Sequence, residues 1–193
     1  DLQRPWKRLM SDAPTDERIS IWTHDGQHLV LRRIQPAQRN DQPPVMLLHG
    51  LSSNHHTYRF EERSLADWLV ARGHDVWLPE LRGHGESHRR EYDWLFDHYL
   101  HHDIPTIIDA IRSRSDHDTV QWVGHSMGGL LLYCYGIMQP DAPIERGLTI
   151  ASALDYRVGA TGFKPLLKIR PALERIGVVP WGTFIHLLAP ALG

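Results

Sequence analysis

The 193-residue sequence contains a single cysteine, Cys134. No disulfide can form within it and no cysteine cluster can hold zinc. Charge of one sign is also missing: 21 Lys and Arg stand against 23 Asp and Glu, a formal net charge of −2. That argues against a nucleic-acid binder relying on a basic surface. The longest apolar run, residues 129–138, includes tyrosine and falls far short of the roughly 20 residues that span a bilayer. No secretory-signal pattern opens the chain. With one cysteine, that leads to the expectation of a cytoplasmic or membrane-peripheral protein. Pro (13) and Gly (15) are too few for a low-complexity chain. What is present is a normal globular share of hydrophobic residues, 41%, and an unusual number of histidines, 14. The length fits one domain.

The polar opening, residues 1–17 with Pro5 and Pro14, reads as an arm. Residues 18–24 and 28–34 alternate apolar and polar about Asp25-Gly26, a β-hairpin. The continuous apolar run 45–48 reads as a buried strand, 75–78 as another, and 119–123 and 146–151 as two more. Apolar spacing predicts helices over 62–72, 93–114 and 126–138, with Pro105 starting a new segment or bending the second. Strands alternating with helices after a hairpin give an α/β domain with a mostly parallel sheet. The expected division is an arm (1–17), a core (18–155) and the start of a helical cap (156–193).

Gly124-His125-Ser126-Met127-Gly128 has the form G-x-S-x-G. An apolar strand runs into it and an apolar helix leaves it, the context of a nucleophile elbow. The small residues let strand and helix approach closely. The tight turn lifts the serine hydroxyl off the sheet, and the helix N-terminus favours negative charge beside it. The competing reading is a glycine-rich turn with Ser126 as an N-cap.

At these residues the chain resembles the α/β-hydrolase superfamily. Two further stretches match in order: 45–51, ending His49-Gly50-Leu51, and Leu81-Arg82-Gly83-His84-Gly85-Glu86-Ser87. The stretches His49-Gly50-Leu51-Ser52-Ser53-Asn54, Asp75-Val76-Trp77, Asp103-Ile104-Pro105 and Trp122-Val123-Gly124-His125-Ser126 are similar to the acid-lipase-like branch of esterases and lipases. The resemblance covers about residues 18–155. It implies an α/β-hydrolase fold: a mostly parallel sheet with an N-terminal hairpin, helices on both faces and a partial helical cap, its C-terminal strands lying outside this chain. It implies Ser126 as nucleophile and the backbone N–H groups of Leu51 and Met127 as oxyanion hole. Gly124, Gly128, Gly50, His49, His125 and His84 support the site. Ser126 in place of aspartate disfavours epoxide hydrolases and dehalogenases.

A serine nucleophile needs a histidine base oriented by a carboxylate, and the family order is Ser…Asp/Glu…His. After Ser126 the only histidine is His186, in a stretch resembling cap helix, and the best-placed acid is Asp155, after the strand 146–151. The preferred expectation is that acid and base lie beyond Gly193, so that residues 1–193 alone do not turn over esters. The missing fold would come from downstream chain or another subunit. His98, His101 and His102 share one helix face at a spacing zinc can use, but no third partner is visible. No metal and no cofactor is expected. Residues 156–193 carry Arg157, Lys164, Lys168, Arg170 and Arg175 against Glu174. Such a segment either covers an acyl pocket, the favoured reading, or makes peripheral contact with an anionic membrane. The expected function is hydrolysis of carboxylic esters or lipids with an apolar acyl group. A thioesterase or acyltransferase, and a non-catalytic subunit binding a lipid or partner protein, remain the alternatives.

Overall fold

Alternating side chains around a turn built on Gly26 (φ 82°) form the first two strands. These are β1 (Thr15–Trp22) and β2 (His28–Gln35), paired antiparallel from Thr15↔Gln35 to Trp22↔His28. The computed structural model describes residues 13–60, 64–87 and 93–153. The expected cap 156–193, with Asp155 and His186, lies outside the described residues. The chain divides into two units, Asp1–Ser152 and Ala153–Gly193, and the sheet with its helices belongs to the first.

The remaining strands are β3 (Val45–Leu48), β4 (Val76–Glu80), β5 (Val120–His125) and β6 (Ile144–Ile150). The sheet order is β1-β2-β4-β3-β5-β6. β2 pairs antiparallel with β4, while β4, β3, β5 and β6 run parallel. This is the α/β-hydrolase arrangement expected. The chain leaves β3 towards β4 on one side and, after crossing back, continues from β5 to β6 on the other. The C-terminal ends of β3 and β5 therefore flank the topological switch point, where open α/β sheets bind ligands.

The helices are α1 (Leu65–Val70), α2 (Phe96–His98), α3 (Ile104–Arg112) and α4 (Met127–Met138). Strand alternation splits the core into two layers. Met46, Leu48, Trp77 and Trp122 pack with Ile104, Ile107, Ile108, Ile111 and Leu131 from α3 and α4. Val45, Leu47, Val76 and Leu78 pack on the other face with Ala66 and Val70 of α1. No described helix is long and apolar enough to cross a membrane.

The expected helix 93–114 is instead three segments, because a π-helical turn, Tyr99–Asp103, separates α2 from α3. Pro105 has no N–H, and its ring conflicts with the carbonyl four residues earlier. The ladder widens just before it: Ile104 N–H donates to Tyr99 O, five residues back. β1 begins at Thr15, inside the expected arm, because its polar end still finds ladder partners on β2.

The π turn also delivers Asp103, which is fully buried, to Arg82, 2% exposed. Arg82 Nε donates to Asp103 Oδ1 at 2.8 Å and its backbone N–H to Asp103 Oδ2 at 2.9 Å. Its Nη1 and Nη2 donate to Asp25 at 2.7 and 3.0 Å. Hairpin turn, post-β4 loop and π turn are thus joined by one guanidinium. Burial pushes Asp103 above the usual carboxylate range. Burial also raises Asp25, but hydrogen bonds from Arg82 and Thr23 outweigh it and hold Asp25 at about 2. Arg82→Met strands Asp103 in the core without a partner, and should cost about 3–5 kcal/mol of unfolding free energy, read by urea denaturation.

Candidate active site

Ser126 stands between β5 and α4 with φ 51° and ψ −116°. A non-glycine residue at positive φ carries strain of about 1–3 kcal/mol and persists only where its surroundings hold it. They do so on several sides. Ser126 N–H donates to Ile150 O of β6 at 2.8 Å, and Ser126 O accepts from Gly129 and Leu130 N–H at the first turn of α4. A Cβ on Gly124 would lie 2.3 Å from Gly128 O, and one on Gly128 would lie 2.3 Å from Leu48 O. The helix thus abuts both strands, backbone on backbone, and only glycine fits at either position.

A Cβ on Gly50 would come 3.0 Å from Ser126 Cβ, so the loop after β3 lies directly against the serine. The Leu51 and Met127 N–H groups have no acceptor among the described residues. Both belong to chain segments flanking Ser126. Met127 is buried, while the Leu51 side chain is 60% exposed. Among the described residues no side chain hydrogen-bonds the Ser126 hydroxyl. His125, just before it, is half-buried, and its Nδ1 is buried without a described partner.

His49 and His84 hold the loop around Leu51. The fully buried His49 ring has Nδ1 2.8 Å from Gly50 O, and its Nε2 accepts from Leu81 N–H at 3.3 Å. His84 Nδ1 lies 2.9 Å from Arg82 O, and its Nε2 accepts from Ser52 N–H at 3.3 Å. Carbonyl partners make each Nδ1 the protonated nitrogen, leaving each Nε2 as acceptor. The two rings are 4.9 Å apart. Burial foremost, with the neighbouring His84, pushes His49 down to about 3, so it is neutral in the fold.

The structure therefore brings together Ser126, Met127, Gly124, Gly128, His125, Gly50, Leu51, His49 and His84. Asp155 lies outside the described residues. Tyr58 escaped sequence reasoning: its hydroxyl donates to Leu48 O at 3.0 Å and lies 3.4 Å from Val123 O, bridging the ends of β3 and β5. Nothing local in the sequence marks it. Of the three helical histidines, His98 Nδ1 accepts from Leu95 N–H, His101 is exposed, and His102 stands 3.9 Å from Asp25.

The chain matches the family described as serine aminopeptidase, S33, over residues 39–179. It belongs to that family of α/β-hydrolases. Lipase lipl-3 of Caenorhabditis elegans is 30% identical over 133 residues, 60% of this chain and 33% of that protein. Gastric triacylglycerol lipase of Mus musculus is 30% identical over 178 residues, 83% of this chain and 45% of that protein. An esterase from Pyrococcus furiosus superposes with a TM-score of 0.64 at 21% identity, over 84% of this chain and 59% of its own. That likeness concerns the fold. The chain spans between a third and a half of the length of these two lipases.

Two outcomes follow from this geometry. Gly128→Ala should abolish the elbow, because its methyl would press on the Leu48 and His49 carbonyls. The variant should unfold at lower urea. In the unfolded chain His49 takes up a proton near its ordinary 6.5, whereas in the fold it does so only near 3. Stability present above about 6.5 is therefore lost as pH falls towards 3. His49→Asn, which keeps a donor for Gly50 O, should show a smaller stability difference between pH 7 and pH 4 by urea titration.

Proposed function

We propose that this chain carries the nucleophile and oxyanion hole of a serine hydrolase that cleaves carboxylic esters of apolar acyl groups. The observation that carries the reading is the strained Ser126 at φ 51°, held between β5 and α4 beside Gly50. A structural N-cap has no use for that conformation, and Ser126 makes no side-chain cap hydrogen bond. The same strain disfavours a non-catalytic subunit. The lipase relatives direct the substrate class towards lipid esters.

Ser126 Oγ attacks the acyl carbonyl while its proton passes to a histidine base. The oxyanion accepts hydrogen bonds from Leu51 and Met127 N–H, each worth a few kcal/mol in the transition state. Expulsion of the alcohol takes the proton from the imidazolium and leaves an acyl-enzyme. Water, deprotonated by the same base, then releases the carboxylic acid and restores Ser126. The base and its orienting acid are assigned to polypeptide outside the described residues, with Asp155 the acid candidate within this chain. No step calls on a cofactor or metal.

In the full-length protein, Ser126→Ala should lower ester turnover by at least about 10⁴-fold and abolish covalent labelling by a fluorophosphonate. Stoichiometric labelling of the alanine variant would place the nucleophile elsewhere.

A further inference from the structure

Glu80 closes β4 at the same edge of the sheet where β3 and β5 deliver Gly50 and Ser126. It is 1% exposed, and a buried carboxylate needs its acceptor sites filled. Here they are filled by two loops. His55 Nδ1 donates to Oε1 at 2.6 Å, with the His55 backbone N–H 3.4 Å from the same oxygen. Oε2 accepts from Glu86 N–H. The loop closes so tightly that a Cβ on Gly85, at φ 52°, would lie 2.1 Å from the carboxylate. His55 opens the 3-10 turn His55–Tyr58, which follows the Leu51 loop directly and ends at the Tyr58 bridge. Leu51 thus sits on a span anchored at Gly50 by His49, at Ser52 by His84 and at His55 by Glu80.

A divalent cation is the rival occupant, since ligand atoms of His55, Glu80 and Glu86 lie within 4.8 Å of one another. The pairing argues against it. His55 and Glu80 are spent on each other, and Glu86 is held by Arg18 and Arg32, whose charges repel a cation.

We propose that Glu80, acting through His55, is a positioning residue that fixes the Leu51 N–H in the oxyanion hole. The proposal rests on the serine-hydrolase reading above. One oxyanion donor is worth about 10²–10³ in kcat, and misplacement rather than loss of it should cost about 10- to 100-fold.

The test uses the full-length protein with four variants. Glu80→Gln turns an amide N–H₂ towards a donor, and His55→Phe removes the imidazole donor. Both should lower kcat by about 10- to 100-fold with KM within about 2-fold, and raise the Ki of a boronic-acid transition-state analogue by the same factor. The double variant should be no worse than the poorer single one. His55→Asn keeps a donor near Nδ1 and should stay within about 3-fold of wild type. Wild-type kcat and Ki in Glu80→Gln and His55→Phe would overturn the proposal. So would a loss confined to KM, or a folded His55→Asn as impaired as His55→Phe. If Glu80→Gln does not fold by circular dichroism, the His55 pair decides. Activity lost in EDTA and restored by a divalent cation would overturn it in favour of a metal site. Stoichiometric labelling that survives Ser126→Ala would instead overturn the underlying reading, an outcome distinct from all of these.

Discussion

The described structure depends on an approach of α4 to β3 and β5 that leaves no room for side chains. Leu48 O and Gly128 O each occupy the space a Cβ would need on the facing glycine. From that contact follow the sharp reversal at Ser126, its positive φ, and the seat of Gly50 against its Cβ. The strain is local and the restraint is spread out. β5 is laddered to β3 from Gln121 to Gly124 and to β6 up to His125, so the reversal has little freedom to relax.

The loops beyond the strand ends meet a different requirement. Several of their backbone groups have left the ladder yet belong to buried residues, among them Gly50, Leu81 and Arg82, and these need partners. The chain answers with side chains that offer defined donors and acceptors. A neutral imidazole donates at one nitrogen and accepts at the other, so His49 can bond Gly50 O and Leu81 N–H at once. His84 does the same for Arg82 O and Ser52 N–H. Arg82 and Glu80 add charged partners where several loops converge. Buried networks of this kind give rigidity when every member is satisfied. The loop presenting Leu51 is held by such contacts rather than by apolar packing, as its exposed side chain shows.

Much of this was legible from local pattern. β3 coincides with its apolar run, and the hairpin follows from alternation about Asp25-Gly26. The bend at Ser126 follows from glycine spacing. What was not legible depends on partners distant in sequence. Thr15, Asp16 and Glu17 look like arm residues until β2 supplies their ladder. Glu80 lies beyond the expected strand 75–78, yet it ends β4 buried, with His55, 25 residues away, as its partner. Pro105 announces a disturbance, but not that it takes the form of a π turn whose last residue, Asp103, meets Arg82 of a distant loop. Asp155 and the cap lie outside the described residues.

The sheet order has a consequence for the birth of the molecule. β1 and β2 are neighbours in sequence and can pair as soon as both exist. β3 gains β4 soon after, but its other edge is completed only by β5, about 75 residues later. At a ribosomal rate of about 5–20 residues per second, that interval is roughly 4–15 seconds. Throughout it, one edge of the wholly apolar β3 lacks its ladder, the kind of exposed strand that recruits foreign strands. The two sides of the candidate site are thus made at different times. The loop bearing Gly50 waits for the strand that leads into Ser126, and one edge of β3 stays open during that wait.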